Sequence, residues 1–151
     1  MHKLQSMFSK ACEYGIRASV FIAIKSRQGV RVSLNEIALG TDSPVSFTAK
    51  ILQILVKSKI IDSLKGPTGG FEIKNSKAGE IKLNQVVYAI DGDSIYKSCG
   101  LGFKNCNEIK PCPLHYKFKT IREDLKLMLE ETSLLDLSND INNGLTFLKR
   151  K

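Results

Sequence analysis

From position 9 the chain alternates between apolar stretches of helical length and short polar breaks. Ser9 stands ahead of a run to about position 26 whose interior, YGIRASVFIAI, is apolar on nearly every face. A serine there can accept the orphan amides of a first turn, and a helix without a polar side is a central, covered one. On it Cys12 reads as a core residue, and Glu13 and Arg17, four apart, as a surface pair. Gln28-Gly29 interrupts the run, and Val30-Arg31-Val32 reads as a short extended piece. Ser33 with Glu36 three residues on is a capping-box pattern, opening a short second helix that stops at Gly40. Thr41-Asp42 turns the chain, and Ser43-Pro44 reads as a cap followed by proline at the first helical position. The third helix runs to about position 59, with Phe47, Ile51, Leu52, Ile54 and Leu55 as its apolar stripe.

Two strands follow, at residues 60–64 and 71–74, joined by Lys65-Gly66-Pro67-Thr68-Gly69-Gly70. Residues 75–80 read as a polar linker, and residues 81–91 as a short helix ended by Gly92-Asp93. Cys112-Pro113 reads as the N-cap and first position of the last long helix. On that helix Leu114, Phe118, Ile121, Leu125 and Met128 recur at spacings of 4, 3, 4 and 3, a heptad seam suited to pairing with a second copy of the chain. Residues 133–138 and a final helix over residues 138–149 brace this arm, and Lys149-Arg150-Lys151 is a solvated basic end. The fold class expected is mainly α with a small β wing (α+β): a winged helix-turn-helix followed by a long C-terminal dimerisation helix. Residues 1–92 form the DNA-binding domain, residues 93–115 a cysteine-rich loop, and residues 113–151 the dimerisation helix and brace.

The third helix and the hairpin carry the candidate chemistry of recognition. Two helices joined by a tight turn, the second opening with small polar residues, make a helix-turn-helix whose second helix enters the major groove. Ser46, Thr48 and Lys50 are then placed for base edges or phosphates, and Phe47 for a thymine methyl. A hairpin directly after such a helix is a wing. Its tip, Gly66, Pro67, Thr68 and Gly69, is almost bare of side chains and lets backbone approach the minor groove, with Lys65 as a cation at its edge. The charge balance agrees, with 23 Lys and Arg against 15 Asp and Glu, a formal net charge of +8. A basic surface combined with a DNA-reading motif points to double-stranded DNA. A leader and a membrane span are not expected, so the protein is read as cytoplasmic, where thiols stay reduced.

Three of the four cysteines, Cys99, Cys106 and Cys112, lie within one stretch, CGLGFKNCNEIKPCPLH, that ends at His115. Six residues separate the first pair and five the second, and His115 follows at Cys-x-x-His spacing. Thiolate and imidazole are ligands for iron–sulfur clusters and for zinc, and the intervening Gly, Asn and Pro make a loop able to fold around an ion. Reduced or redox-active thiols are the plain alternative, and His115 as a simple surface residue is another. A small thiol- or metal-dependent enzyme is the remaining class. Against it stand two histidines in all, no Cys-x-x-Cys and no phosphate loop.

The residues resemble the Rrf family of bacterial winged-helix transcription regulators. Ser9-Lys10-Ala-Cys-Glu-Tyr14-Gly-Ile-Arg17 is similar to that family's opening helix. Leu64 through Phe71 is similar to its wing signature, and the cysteine triad ahead of the long helix to its cluster loop. The resemblance implies a homodimer with crossing C-terminal helices, reading a pseudo-palindromic operator through the third helix and wing, with Ser9 and Lys10 at the start of the first helix taking part. It also implies an iron–sulfur cluster, of the [2Fe-2S] rather than the [4Fe-4S] type, on Cys99, Cys106 and Cys112, with His115 or Glu13 as fourth ligand. Zinc is the alternative. Redox state, nitric oxide or iron and sulfur status would be the signal. The first gap between cysteines is one residue longer than in the family's cluster-binding members, and Ala49 stands where a site-discriminating glutamate is found in some of them.

Overall fold

The computed structural model describes residues 7–97 and 107–149. In chain order the elements are α1 (Lys10–Arg27), α2 (Leu34–Thr41), α3 (Val45–Lys57), β1 (Asp62–Leu64), β2 (Gly70–Glu72), α4 (Asn75–Ala78), α5 (Leu83–Asp91), α6 (Ser94–Lys97), α7 (His115–Glu131) and α8 (Leu134–Asn142). The α1 helix is the hub, with α2, α3, α5 and α8 packed around it. Its small buried residues, Gly15, Ala18, Ser19 and Ala23, let those neighbours come close. A methyl group at Gly15 would stand 2.1 Å from Cδ1 of Ile90 on α5. Around this axis Ile22, Ile37, Ile51, Leu52, Leu55, Ile73, Val86, Leu129 and Leu134 close a core that is almost wholly shielded from water.

The caps expected at α1 and α2 are present. The Ser9 hydroxyl accepts the Cys12 amide at 3.0 Å, and Ser33 and Glu36 exchange both bonds of a capping box. The third helix departs from expectation. Its cap position is Pro44, whose backbone is extended, and Ser43 makes no cap bond. The Ser43 hydroxyl is engaged instead with Thr41 and Thr48, each at 2.8 Å. The helix ends at Lys57, because Lys59 takes a left-handed φ of 61° that no α-helix continues through.

The hairpin pairs Asp62 with Glu72, Ser63 with Phe71 and Leu64 with Gly70, in antiparallel register. It is shorter than the expected strands, since Ile60 and Ile61 turn inward to the core before β1 begins. Val32 adds a third edge through two backbone bonds to Phe71, of 3.1 and 2.8 Å. Gly70 has a φ of 135°, and a Cβ there would lie 2.8 Å from the Val32 carbonyl oxygen. Only glycine lets the two backbones meet.

Three further expectations are corrected. Residues 75–80 are not a plain linker: they form the single turn α4, which buries Ala78. The long helix opens at His115 with Leu114 as its cap position, so Cys112 lies ahead of the helix and is not its N-cap. The last helix begins at Leu134, not near 138, because Ser133 and Asp136 form a capping box. That helix, α8, covers α1, and Arg27 at the end of α1 donates to the Asn139 side chain.

Candidate nucleic-acid interface and cysteine segment

The helix-turn-helix is locked by side chains at its bend. Thr41 donates to the Ile37 carbonyl at 2.7 Å, its hydroxyl meets that of Ser43, and Ser43 meets Thr48, which bonds the Pro44 carbonyl at 2.7 Å. This chain of three hydroxyls ties the last turn of α2 to the first turn of α3. Arg17 adds a bond from α1 to the Thr41 carbonyl at 3.2 Å, while its guanidinium lies 5.0 Å from the centre of the Tyr14 ring. Arg17 is therefore turned to α2. Glu13, expected to pair with it, has its ion pair with Lys10 at 3.5 Å.

These contacts sort the residues expected to meet DNA. Ser46 and Lys50 are exposed on α3. Thr48 is 1% exposed and its hydroxyl serves the bend, so it is a structural residue and does not face a base. Phe47 is half-buried and stands edge-on to Tyr14, with ring centroids 5.5 Å apart, which fixes its ring against α1. At the start of α1, Ser9 gives its amide and its hydroxyl to the Asp91 carboxylate, at 3.1 and 2.5 Å. Lys10 remains exposed beside it. In the wing, Lys65, Gly66, Pro67 and Thr68 are exposed and Gly69 half-buried; the tip is closed by the Gly69 amide bonding the Gly66 carbonyl at 3.0 Å. Arg31, which the sequence did not single out, reaches this tip.

Cys99 and Cys106 lie outside the described residues. Cys112 is half-buried, and its carbonyl accepts the His115 amide at 3.0 Å. His115 is 3% exposed, so it is not a surface residue; its ring meets Tyr116 edge-on at 4.8 Å. Cys112 and His115 are thus neighbours in the backbone turn that opens α7, and their side chains are a soft and a borderline donor of the kind a cluster or zinc takes. Among the described residues no three His, Cys, Asp or Glu side chains gather as a metal site. A cavity of about 510 Å³ beside His115 is lined by Tyr96, Lys97, Glu108, Lys119 and Arg122 among others. Cys12 is the opposite of a ligand. Burial first, then the Asp91 carboxylate, pushes its thiol up to about 12, and it stays protonated in the core.

The seam of α7 divides. Leu125 packs on the core; Leu114 and Phe118 are half-buried. Ile121 and Met128 are 55% and 49% exposed on the outer side, and the buried apolar residue of this helix is Leu129, off the seam. Among the described residues no helix is long and apolar enough to cross a membrane.

A helix-turn-helix followed by a glycine-tipped hairpin on a shared core defines a winged-helix DNA reader. The profile of the Rrf2 family, described as an iron-dependent transcriptional regulator, matches residues 8–140, and the chain belongs to that family. It is 27% identical over 135 residues to a protein of Aquifex aeolicus provisionally assigned as an HTH-type transcriptional regulator, covering 88% of this chain and 92% of that one. It is 25% identical over 127 residues to the HTH-type transcriptional regulator IscR of Pectobacterium carotovorum, covering 84% and 76%. The fold is also that of CymR, the global cysteine regulator of B. subtilis, with a TM-score of 0.70 at 19% identity, covering 92% of this chain and 98% of that one. IscR of T. potens superposes with a TM-score of 0.72 at 16% identity, covering 95% and 92%. The protein is a transcriptional regulator and not an enzyme.

Proposed function

We propose that the chain acts as a homodimer on a pseudo-palindromic operator, and that its DNA binding is gated by an iron–sulfur cluster held by Cys99, Cys106 and Cys112 with His115 or Glu13. The observation that carries this reading is the place of Cys112 and buried His115 at the opening of α7, where the cysteine segment runs into the long helix. The other end of that segment leaves from Asp91 and α6, and Asp91 is bonded to the cap of α1. The segment is therefore tied at one end to the reader and at the other to the helix whose Ile121 and Met128 stand ready for a second copy. A bound cluster would supply a state that iron supply, oxidants or nitric oxide can alter. Cys112 and His115 would hold it at the helix start and pass such a change to α7, and a modest switch needs a difference of about 1–3 kcal/mol between DNA-binding states.

The test is anaerobic purification with a visible absorption spectrum and iron, sulfide and zinc analysis. A brown protein with equal iron and sulfide, bleached in Cys106→Ala, supports the cluster. A colourless protein with stoichiometric zinc replaces the cluster with a zinc knot and leaves the reader intact. Neither metal after reconstitution turns the segment into a thiol switch.

A further inference from the structure

We propose that Arg31 is the residue that positions the wing for DNA, working through Glu72 and the wing's own backbone. The inference rests on the reading of the chain as a winged-helix DNA binder. Arg31 lies in the extended piece between α1 and α2, next to Val32, which forms the wing's third edge. Its Nε donates to the Glu72 carboxylate on β2 at 3.2 Å, and its guanidinium also donates to the Thr68 carbonyl at 3.4 Å. One planar side chain therefore grips the base of the hairpin and its tip together, a geometry that a lysine cannot copy.

The hairpin needs such a hold. Its strands are three residues each, and a two-stranded ribbon of that length has no stability of its own in water. Beyond Leu64 and Gly70 the tip has one internal backbone bond, between Gly69 and Gly66. Among the described residues, the side-chain bond reaching the tip from the body is that of Arg31 to Thr68. Arg31 and Glu72 are only partly exposed, at 40% and 25% of their side chains, which sets the pair apart from a fully solvated surface bridge. With Arg31 in place, the exposed stretch Lys65–Gly66–Pro67–Thr68 is presented in one pose, and the entropy of ordering it is settled before DNA arrives.

Electrostatics gives the test its sign. Glu72 is an anion beside a surface meant for phosphates. If its charge were all that mattered, removing it would strengthen DNA binding. If it holds Arg31 over the wing, removing it weakens binding. The experiment measures fluorescence anisotropy with a duplex recovered by wild-type selection from genomic fragments, at several salt concentrations, for Arg31→Lys, Arg31→Ala, Glu72→Ala and the double variant Arg31→Ala/Glu72→Ala. Hydroxyl-radical footprinting and amide exchange accompany it. Each single variant is expected to lose about three- to tenfold in affinity, the range of a broken hydrogen-bonded contact. Arg31→Lys keeps the charge and is expected to fall with the others. The double variant should bind no worse than Arg31→Ala. Minor-groove protection should fade while major-groove protection persists, and the amides of Gly69 and Phe71 should exchange faster without DNA. Equal or tighter binding by Glu72→Ala, with unchanged exchange, overturns the role of Arg31 alone. If the wild-type chain retains no duplex at low salt, the DNA reading fails and the role of Arg31 falls with it.

Discussion

The hydroxyl oxygens of Ser43 and Thr48 lie 2.8 Å apart, across the bend between α2 and α3. Thr48 also serves the Pro44 carbonyl, so its one side chain closes the first turn of α3 and joins it to the turn before. Thr48→Val keeps the shape and removes both bonds. We expect a loss of about 1–2 kcal/mol, since the Ser43 hydroxyl is left with Thr41 alone. The thermal midpoint should fall by about 3–6 °C for a chain of this size. DNA contacts by Ser46 and Lys50 should persist at temperatures where the variant is folded. A melting curve with anisotropy at 15 °C and 37 °C checks both points.

Gly70 fixes where the wing crosses Val32. Gly70→Ala forces a β-carbon against the Val32 carbonyl and a strained φ together. The expected cost is about 2–3 kcal/mol, taken locally by release of the hairpin. Amide exchange at Val32 and Phe71 should rise well before α1 and α5 open. If exchange rose uniformly over the chain, the hairpin would be part of the global unfolding unit.

The raised thiol of Cys12 makes a prediction at alkaline pH. An ordinary thiol titrates near 9.0, and this one near 12. Between those values the folded chain keeps a proton that the unfolded chain has lost. Stability from this group is thus complete below pH 9 and erodes as pH rises toward 12. Urea melts at pH 8, 9 and 10 should show a downward trend that is reduced in Cys12→Ala after allowing for the lost volume. In native protein at pH 8.5, Cys12 should resist iodoacetamide, as mass spectrometry of the peptide will show.

Ile121 and Met128 are the exposed residues of the α7 seam. Ile121→Glu leaves the core residues Leu125 and Leu129 untouched. Sedimentation equilibrium should shift from dimer to monomer, by about tenfold or more in dissociation constant, for an apolar anchor replaced by a charge. Circular dichroism should be unchanged. A monomeric wild-type chain at tens of micromolar would remove the dimer from the proposed mechanism.

Features with a local cause were legible in the sequence. The capping box at Ser33 and Glu36, the break at Gly29 and the glycine-rich hairpin each follow from residues that touch near neighbours in the chain. Ser43 misled because a serine before proline looks like a cap, and only the fold brings Thr41 and Thr48 to its hydroxyl. The start of α8 was missed because Asp136 fills the place a glutamate or glutamine usually takes in a capping box. Arg31 gave no signal at all: its partners are 37 and 41 residues away. Burial of His115 depends likewise on how α7 lies against the domain, which its spacing from Cys112 does not encode.

The bond between Ser9 and Asp91 bears on how the first helix meets nucleic acid. A helix N-terminus ordinarily attracts an anion. Here the chain fills that place with a carboxylate of its own, held by both donors of Ser9. Asp91 is in effect a resident counter-ion, and an incoming phosphate finds the amide end already neutralised. On the proposed DNA reading, the start of α1 would then offer a duplex only the exposed Lys10 ammonium, itself shared with Glu13 at 3.5 Å, and discrimination would fall to the side chains of α3.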